Sequence, residues 1–175
     1  MEKLNLRIYG DTVLRQRAEE VTEFDEGLER LAHGMIDVMK RERGIGLAAP
    51  QVGVSKRMIV ALRMTDNDDT SVPPIVLVNP RISAVSDSTW AFEEGCLSVP
   101  GITADVVRPE EIDVTYQDLS GDEHQLTATE IFGRILLHEI DHLEGKLFID
   151  YLSSAKKSLI KSKLKRLNSA DKHLF

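Results

Sequence analysis

Apolar positions early in the chain repeat at helical spacing. Over residues 25–43, Leu28, Leu31, Ala32, Met35, Ile36 and Met39 fall on one stripe with charged residues between them. Asp25 stands where an N-cap is needed and Gly44 ends the run. A second stripe, Ile131, Ile135 and His138, predicts a helix that Thr127 or Thr129 caps and Gly145 closes. A third runs through Ile160, Leu164 and Leu167, in a C-terminal helix over residues 153–168. Between the first two helices lie short β-rich runs at Met58–Leu62, Ile75–Val78, Arg81–Val85, Thr89–Phe92, Ile102–Val107 and Ile112–Gln117. The polar stretch Thr65–Ser71 separates the first two runs, and a turn at Leu119–Asp122 leads back through Glu123–Leu126. Residues 1–22 read as an irregular lead-in with one capped turn at Asp11-Thr12. Helix, many strands, then helix predicts an α+β fold. Antiparallel or mixed short-stranded sheets surround a central helix, with an N-terminal and a C-terminal helix. At 175 residues the chain suits one domain, 1–175, with one core.

Composition narrows the function classes. The net charge of −7 argues against general nucleic-acid binding, DNA included. Residues 154–175 oppose that average, with seven Lys or Arg against the single acid Asp171. Their basic face could meet an anionic partner such as RNA, or simply be solvated. No apolar run approaches the roughly 20 residues of a membrane span. The first residues carry no secretory signal pattern. The single cysteine, Cys96, excludes an internal disulfide and fits a reducing cytoplasm.

The candidate chemistry centres on His138-Glu139-Ile140-Asp141-His142. Histidines at i and i+4 stack on one helix face and can grip one metal ion, with Glu139 beside them as a candidate general base. The alternative is a helix whose histidines only pack or face water. A hydrolytic site also needs a third ligand and one open position. A metzincin pattern would put a histidine at Phe148, and a thermolysin-like one needs an acid that residues 151–170 lack. Cys96 remains as the best soft ligand, at a strand break between Glu93-Glu94-Gly95 and Leu97-Ser98. A lone cysteine is otherwise a small buried hydrophobe, and two acids upstream make it a poor simple nucleophile. Asp141 points off the ligand face. Gly44-Ile45-Gly46-Leu47-Ala48-Ala49-Pro50-Gln51 cannot continue a helix. It is either a tight connection to the next strand or bare backbone that a ligand approaches closely.

These three stretches, taken in order, resemble the signature motifs of the peptide deformylases: the Gly44–Gln51 segment, Glu94–Ser98, and His138–Gly145. The resemblance implies a hydrolase that removes the N-formyl group from the initiator methionine of nascent polypeptides. It assigns Cys96, His138 and His142 as metal ligands and Glu139 as general acid/base. The Gln51 side chain and the Leu97 backbone N–H would polarise the formyl oxygen. Ferrous iron is the implied cofactor, with zinc, nickel or cobalt as substitutes. Ile45, Gly46 and Gly95 would present backbone to an extended peptide, and Ile131 and Ile135, with Ile45, would form the methionine pocket. A cytoplasmic bacterial enzyme, with a ribosome contact through the basic C-terminal helix, completes the expectation. Two departures from the family pattern are Leu137, where Gln is common, and Gly133-Arg134, where Ala-Arg is frequent. Other readings are a structural metal site, which needs a fourth protein ligand, and an inactive homologue that binds the ribosome or RNA.

Overall fold

The computed structural model describes residues 4–63 and 72–170. Helix α1 spans Glu26–Arg41, and Asp25 caps it by accepting the Leu28 N–H. Its buried face is Leu28, Ala32, Met35, Val38 and Met39, while Leu31 and Ile36 are only partly buried. The predicted stripe is thus centred slightly off, toward Val38. The Gly44–Gln51 connection holds structure of its own: strand β1, Gly46–Ala48, then a 3-10 turn, Ala49–Val52. Six strands follow: β2 Met58–Ala61, β3 Ile75–Val85, β4 Thr89–Cys96, β5 Val99–Pro109, β6 Glu111–Gln117 and β7 Glu123–Thr129. Two predicted runs, Ile75–Val78 and Arg81–Val85, merge into one β3. Proline is tolerated at Pro80 because pairing to β2 stops at Val78. The expected Thr65–Ser71 loop lies outside the described residues.

Strands β1-β2-β3-β6-β7 form one sheet in that order, and β4-β5 form a separate hairpin. Every pairing between these strands is antiparallel. Helix α2, Glu130–Leu143, packs on one face through Ile135, Leu136, Ile140 and Leu143, against Ile59, Leu77, Ile112 and Val114. Leu137, the departure from the common Gln, is buried in that same cluster. Helix α1 covers the other face. A third apolar cluster joins β5 to the segment Leu147–Leu152, and half-buried Ile160, Leu164 and Leu167 of helix α3, Ser154–Ala170, pack on it. Among the described residues no helix is long and apolar enough to cross a membrane.

The two ends of α2 differ in how well the sequence foretold them. Thr129 is the N-cap but makes no side-chain bond, and Thr127 instead donates to Asp113 across the sheet. Gly145 terminates the helix in the left-handed region, at φ 70°. Its N–H reaches the His142 carbonyl and the Lys146 N–H reaches that of Asp141, which together make a Schellman motif.

Candidate metal centre

Three elements converge at one end of α2. The helix presents His138 and His142 on one face, a turn apart, and Glu139 beside them. The β4–β5 hairpin reverses at Leu97-Ser98, with a register shift between Gly95 and Cys96 that turns Cys96 toward the helix. The 3-10 turn after β1 brings in Gln51.

One ligand atom each from Cys96, His138 and His142 lies within 4.8 Å of the others. The Cys96 Sγ to His142 Nε2 distance is 3.3 Å. Sulfur and nitrogen on a tetrahedral cation stand about 3.6 Å apart, given metal–ligand distances near 2.3 and 2.1 Å. One thiolate and two imidazoles at this spacing therefore fit a divalent, borderline-soft cation with room for a fourth ligand. Among the described residues no fourth side chain joins the group. That disfavours a closed structural site.

Behind the ligands stands Glu94, which sequence reasoning treated only as a neighbouring negative charge. It is buried and accepts from four donors. Arg108 Nε and Nη2 lie at 2.6 and 2.9 Å, Arg134 Nη1 at 2.7 Å and His138 Nδ1 at 2.9 Å. Burial alone would raise its pKa, but the bonds to Arg108 and His138 outweigh that and lower it to about 2. The ionised carboxylate fixes the His138 ring and leaves Nε2 for a metal. Burial likewise favours neutral imidazoles. At His142 it prevails and, with the charge on His138, holds the pKa well below the ordinary value. At His138 burial is overcome by hydrogen bonds to Cys96 and Glu94, which push the pKa up.

Glu139 is buried, and its Oε2 has no hydrogen-bond partner. Desolvation raises its pKa to about 7, against the charge on His138. Gly46 makes this approach possible, because a Cβ there would lie 2.5 Å from Glu139 Oε1 and 2.9 Å from Ile135 Cγ2. Gln51, 1% exposed, accepts the Ala48 N–H through Oε1 at 2.8 Å. This fixes which way the amide points, so Nε2 faces Ser98 Oγ at 3.2 Å and Cys96 Sγ at 3.6 Å.

A cleft of about 690 Å³ opens above these groups. Its walls include Ile45, Gly46, Gly95, Leu97, Ile131 and Ile135, together with Gln51, Cys96, His138 and Glu139. The residues singled out in the sequence thus meet here, His142 alone lying beneath the wall. Reasoning from sequence missed Glu94 as a support, along with Arg108, Arg134 and the exposed Phe92 at the cleft edge. The Arg134 guanidinium lies over the adjoining rings of Trp90 and Phe92, 4.6 and 5.6 Å from their centroids. The Gly133-Arg134 pair was the available signal, but its partner Glu94 is distant in sequence.

An α+β frame thus gathers a thiol, two imidazoles and a buried carboxyl group under an open cleft, a group of side chains that could hold one metal ion. Residues 3–158 match the family model described as polypeptide deformylase. The peptide deformylase of Picosynechococcus sp. is 46% identical over 147 residues, 84% of this chain and 78% of the relative. That of Endomicrobium trichonymphae is 44% identical, over 97% of this chain and 98% of its own. The solved Plasmodium falciparum peptide deformylase superposes with a TM-score of 0.89 at 39% identity, covering 97% of this chain and 98% of that one. The chain belongs to the peptide deformylase family, and it is an enzyme acting on N-formyl peptides.

Proposed function

We propose that the chain removes the formyl group from the initiator methionine of nascent polypeptides in a bacterial cytoplasm, releasing formate and a free amino terminus. One observation carries the reading. A buried carboxylate with an unpartnered oxygen, its pKa near 7, stands beside three convergent ligand atoms under a cleft. Cys96, His138 and His142 would hold one divalent cation, ferrous iron by family resemblance, with zinc, nickel or cobalt able to substitute. Such a cation supplies Lewis acidity, which acidifies water and polarises a carbonyl oxygen.

The remaining work falls to the chain. Glu139 takes a proton from the attacking water and delivers it to the amine nitrogen as the C–N bond breaks, a shuttle suited to a pKa near the working pH. Charge develops on the formyl oxygen as its carbon becomes tetrahedral. Gln51 Nε2 and the Leu97 backbone N–H are the donors aimed there, and losing one such donor costs about 10²–10³ in rate. The backbone at Ile45, Gly46 and Gly95 receives the peptide as an added strand, which leaves most later side chains unread. Ile45, Ile131 and Ile135 enclose the methionine side chain, whose burial contributes roughly 1.5–3 kcal/mol. The basic face of α3 docks the enzyme on ribosomal RNA near the emerging chain.

Formate release from formyl-Met-Ala, measured beside metal content, tests the reading. Cys96→Ala is expected to lose both bound metal and formate release. Full activity in that variant would refute the ligand assignment.

A further inference from the structure

The ion-pair network behind the metal ligands does not end at Glu94. Arg108 spans two carboxylates, meeting Glu94 through Nε and Nη2 and Asp141 through Nη1 at 2.7 Å. Asp141 is held from the solvent side by Tyr151, whose hydroxyl donates to its two oxygens at 3.0 and 2.9 Å. The Tyr151 ring also covers the Arg108 guanidinium, 5.0 Å from the ring centroid. Arg108 is 4% exposed and Tyr151 48%. A surface tyrosine is therefore joined to His138 by consecutive hydrogen bonds through Asp141, Arg108 and Glu94. In charge the shell is balanced: Glu94 and Asp141 oppose Arg108 and Arg134.

The network also bridges a seam. Two ligands come from α2 and the third from the β4–β5 hairpin, so the spacing of Cys96 from the histidines depends on how the hairpin seats on the helix. Arg108 belongs to the hairpin and Asp141 to the helix. Tyr151, in the 3-10 turn Phe148–Tyr151 beyond the helix, closes their contact from outside.

We propose that Tyr151 is a positioning residue for the metal centre, acting on His138 through Asp141, Arg108 and Glu94. Its hydroxyl holds the Asp141 carboxylate, which is 15% exposed and, among the described residues, is otherwise bonded only to Arg108. Its ring keeps solvent off the guanidinium that Asp141 and Glu94 share. Without the hydroxyl, Arg108 loses a fixed acceptor, Glu94 loses part of its hold on Arg108, and the His138 ring is less tightly aimed. Groups that orient a ligand from outside typically change metal affinity 10–100-fold. Tyr151 stands further out than Glu94, so the lower end of that range is expected.

The inference rests on the ligand set proposed above, and the experiment separates the two. The full chain is loaded with Co(II), whose visible absorption reports a thiolate–imidazole site, and cobalt loss to excess chelator is timed. Tyr151→Phe keeps the ring over Arg108 and removes only the hydroxyl. It should lose cobalt ~10-fold faster, with the melting temperature of the metal-free protein unchanged. Asp141→Asn should lose cobalt at least as fast, and the double variant no faster than Asp141→Asn alone, because both act along one path. A Tyr151→Phe rate within twofold of wild type, or additive effects in the double variant, would overturn the inference alone. A wild-type chain that takes up no cobalt would overturn the ligand set as well.

Discussion

At the scale of single residues, the site depends on a carboxylate held against its preference. Glu139 is buried with one oxygen unpartnered, and its pKa is raised from an ordinary 4.5 to about 7. In the metal-free chain this has a definite sign. Between about pH 4.5 and 7 the folded state retains a proton that the unfolded state has released, so stability falls as pH rises through that window. Glu139→Gln removes the titration. The metal-free variant should therefore exceed wild type above pH 7 by on the order of 3 kcal/mol, at about 1.4 kcal/mol per pH unit, and match it near pH 4. Urea unfolding of both proteins across this range reads the difference directly, and a difference that stays constant from pH 4.5 to 7 would count against the burial argument. Glu94 shows the opposite case. The same burial is overcome by Arg108 and His138, and the charge stays. Two glutamates in one site thus differ because one has cationic partners and the other has none at its inner oxygen.

At the scale of elements, the strands and helices were largely legible from periodicity, and their meeting points were not. The Asp25 cap, the α2 stripe and the Gly145 stop follow from local chemistry, so sequence shows them. Strand β1 is three residues long and rich in small side chains, and it forms only because β2 pairs with it. No local signal announces that. His138, His142 and Cys96 could be placed by counting motifs, whereas Arg108, Arg134 and Asp141 required the fold. Arg108 lies 14 residues from Glu94 and 33 from Asp141, distances that only the hairpin and its seat on α2 close. The packing of β1 on α2 yields a test at this scale. Gly46→Ala places a methyl group against Glu139 and Ile135, so it should displace the carboxylate from its working position. A shift of that kind costs about 10² in kcat/KM. All three residues of β1 are buried, so the added methyl group should also lower the melting temperature, by overpacking worth about 1–3 kcal/mol. Unaltered kcat/KM would mean that the site tolerates the displacement.

At the scale of the whole molecule, charge is segregated. The chain is acidic overall at −7, while α3 carries Lys156, Lys161, Lys163 and Arg166 on exposed positions and seats Ile160, Leu164 and Leu167 on the core. Among the described residues of α3 none lines the cleft, so the proposed RNA contact predicts separable effects. Replacing Lys161, Lys163 and Arg166 with Glu should weaken ribosome binding and flatten its salt dependence, yet leave hydrolysis of formyl-Met-Ala unchanged. Co-sedimentation with ribosomes across a salt series measures both, and binding indifferent to salt and to these changes would dismiss the electrostatic contact. The central claim is narrower: the cation is held by Cys96, His138 and His142, and Glu139 moves the proton. Its most direct test is anaerobic purification of wild type and Glu139→Ala, with metal analysis and formate release from formyl-Met-Ala on the same samples. Wild type should carry one divalent metal per chain and release formate, and Glu139→Ala should carry the same metal and release almost none. Turnover by the variant, or by wild type stripped of metal, would contradict the account.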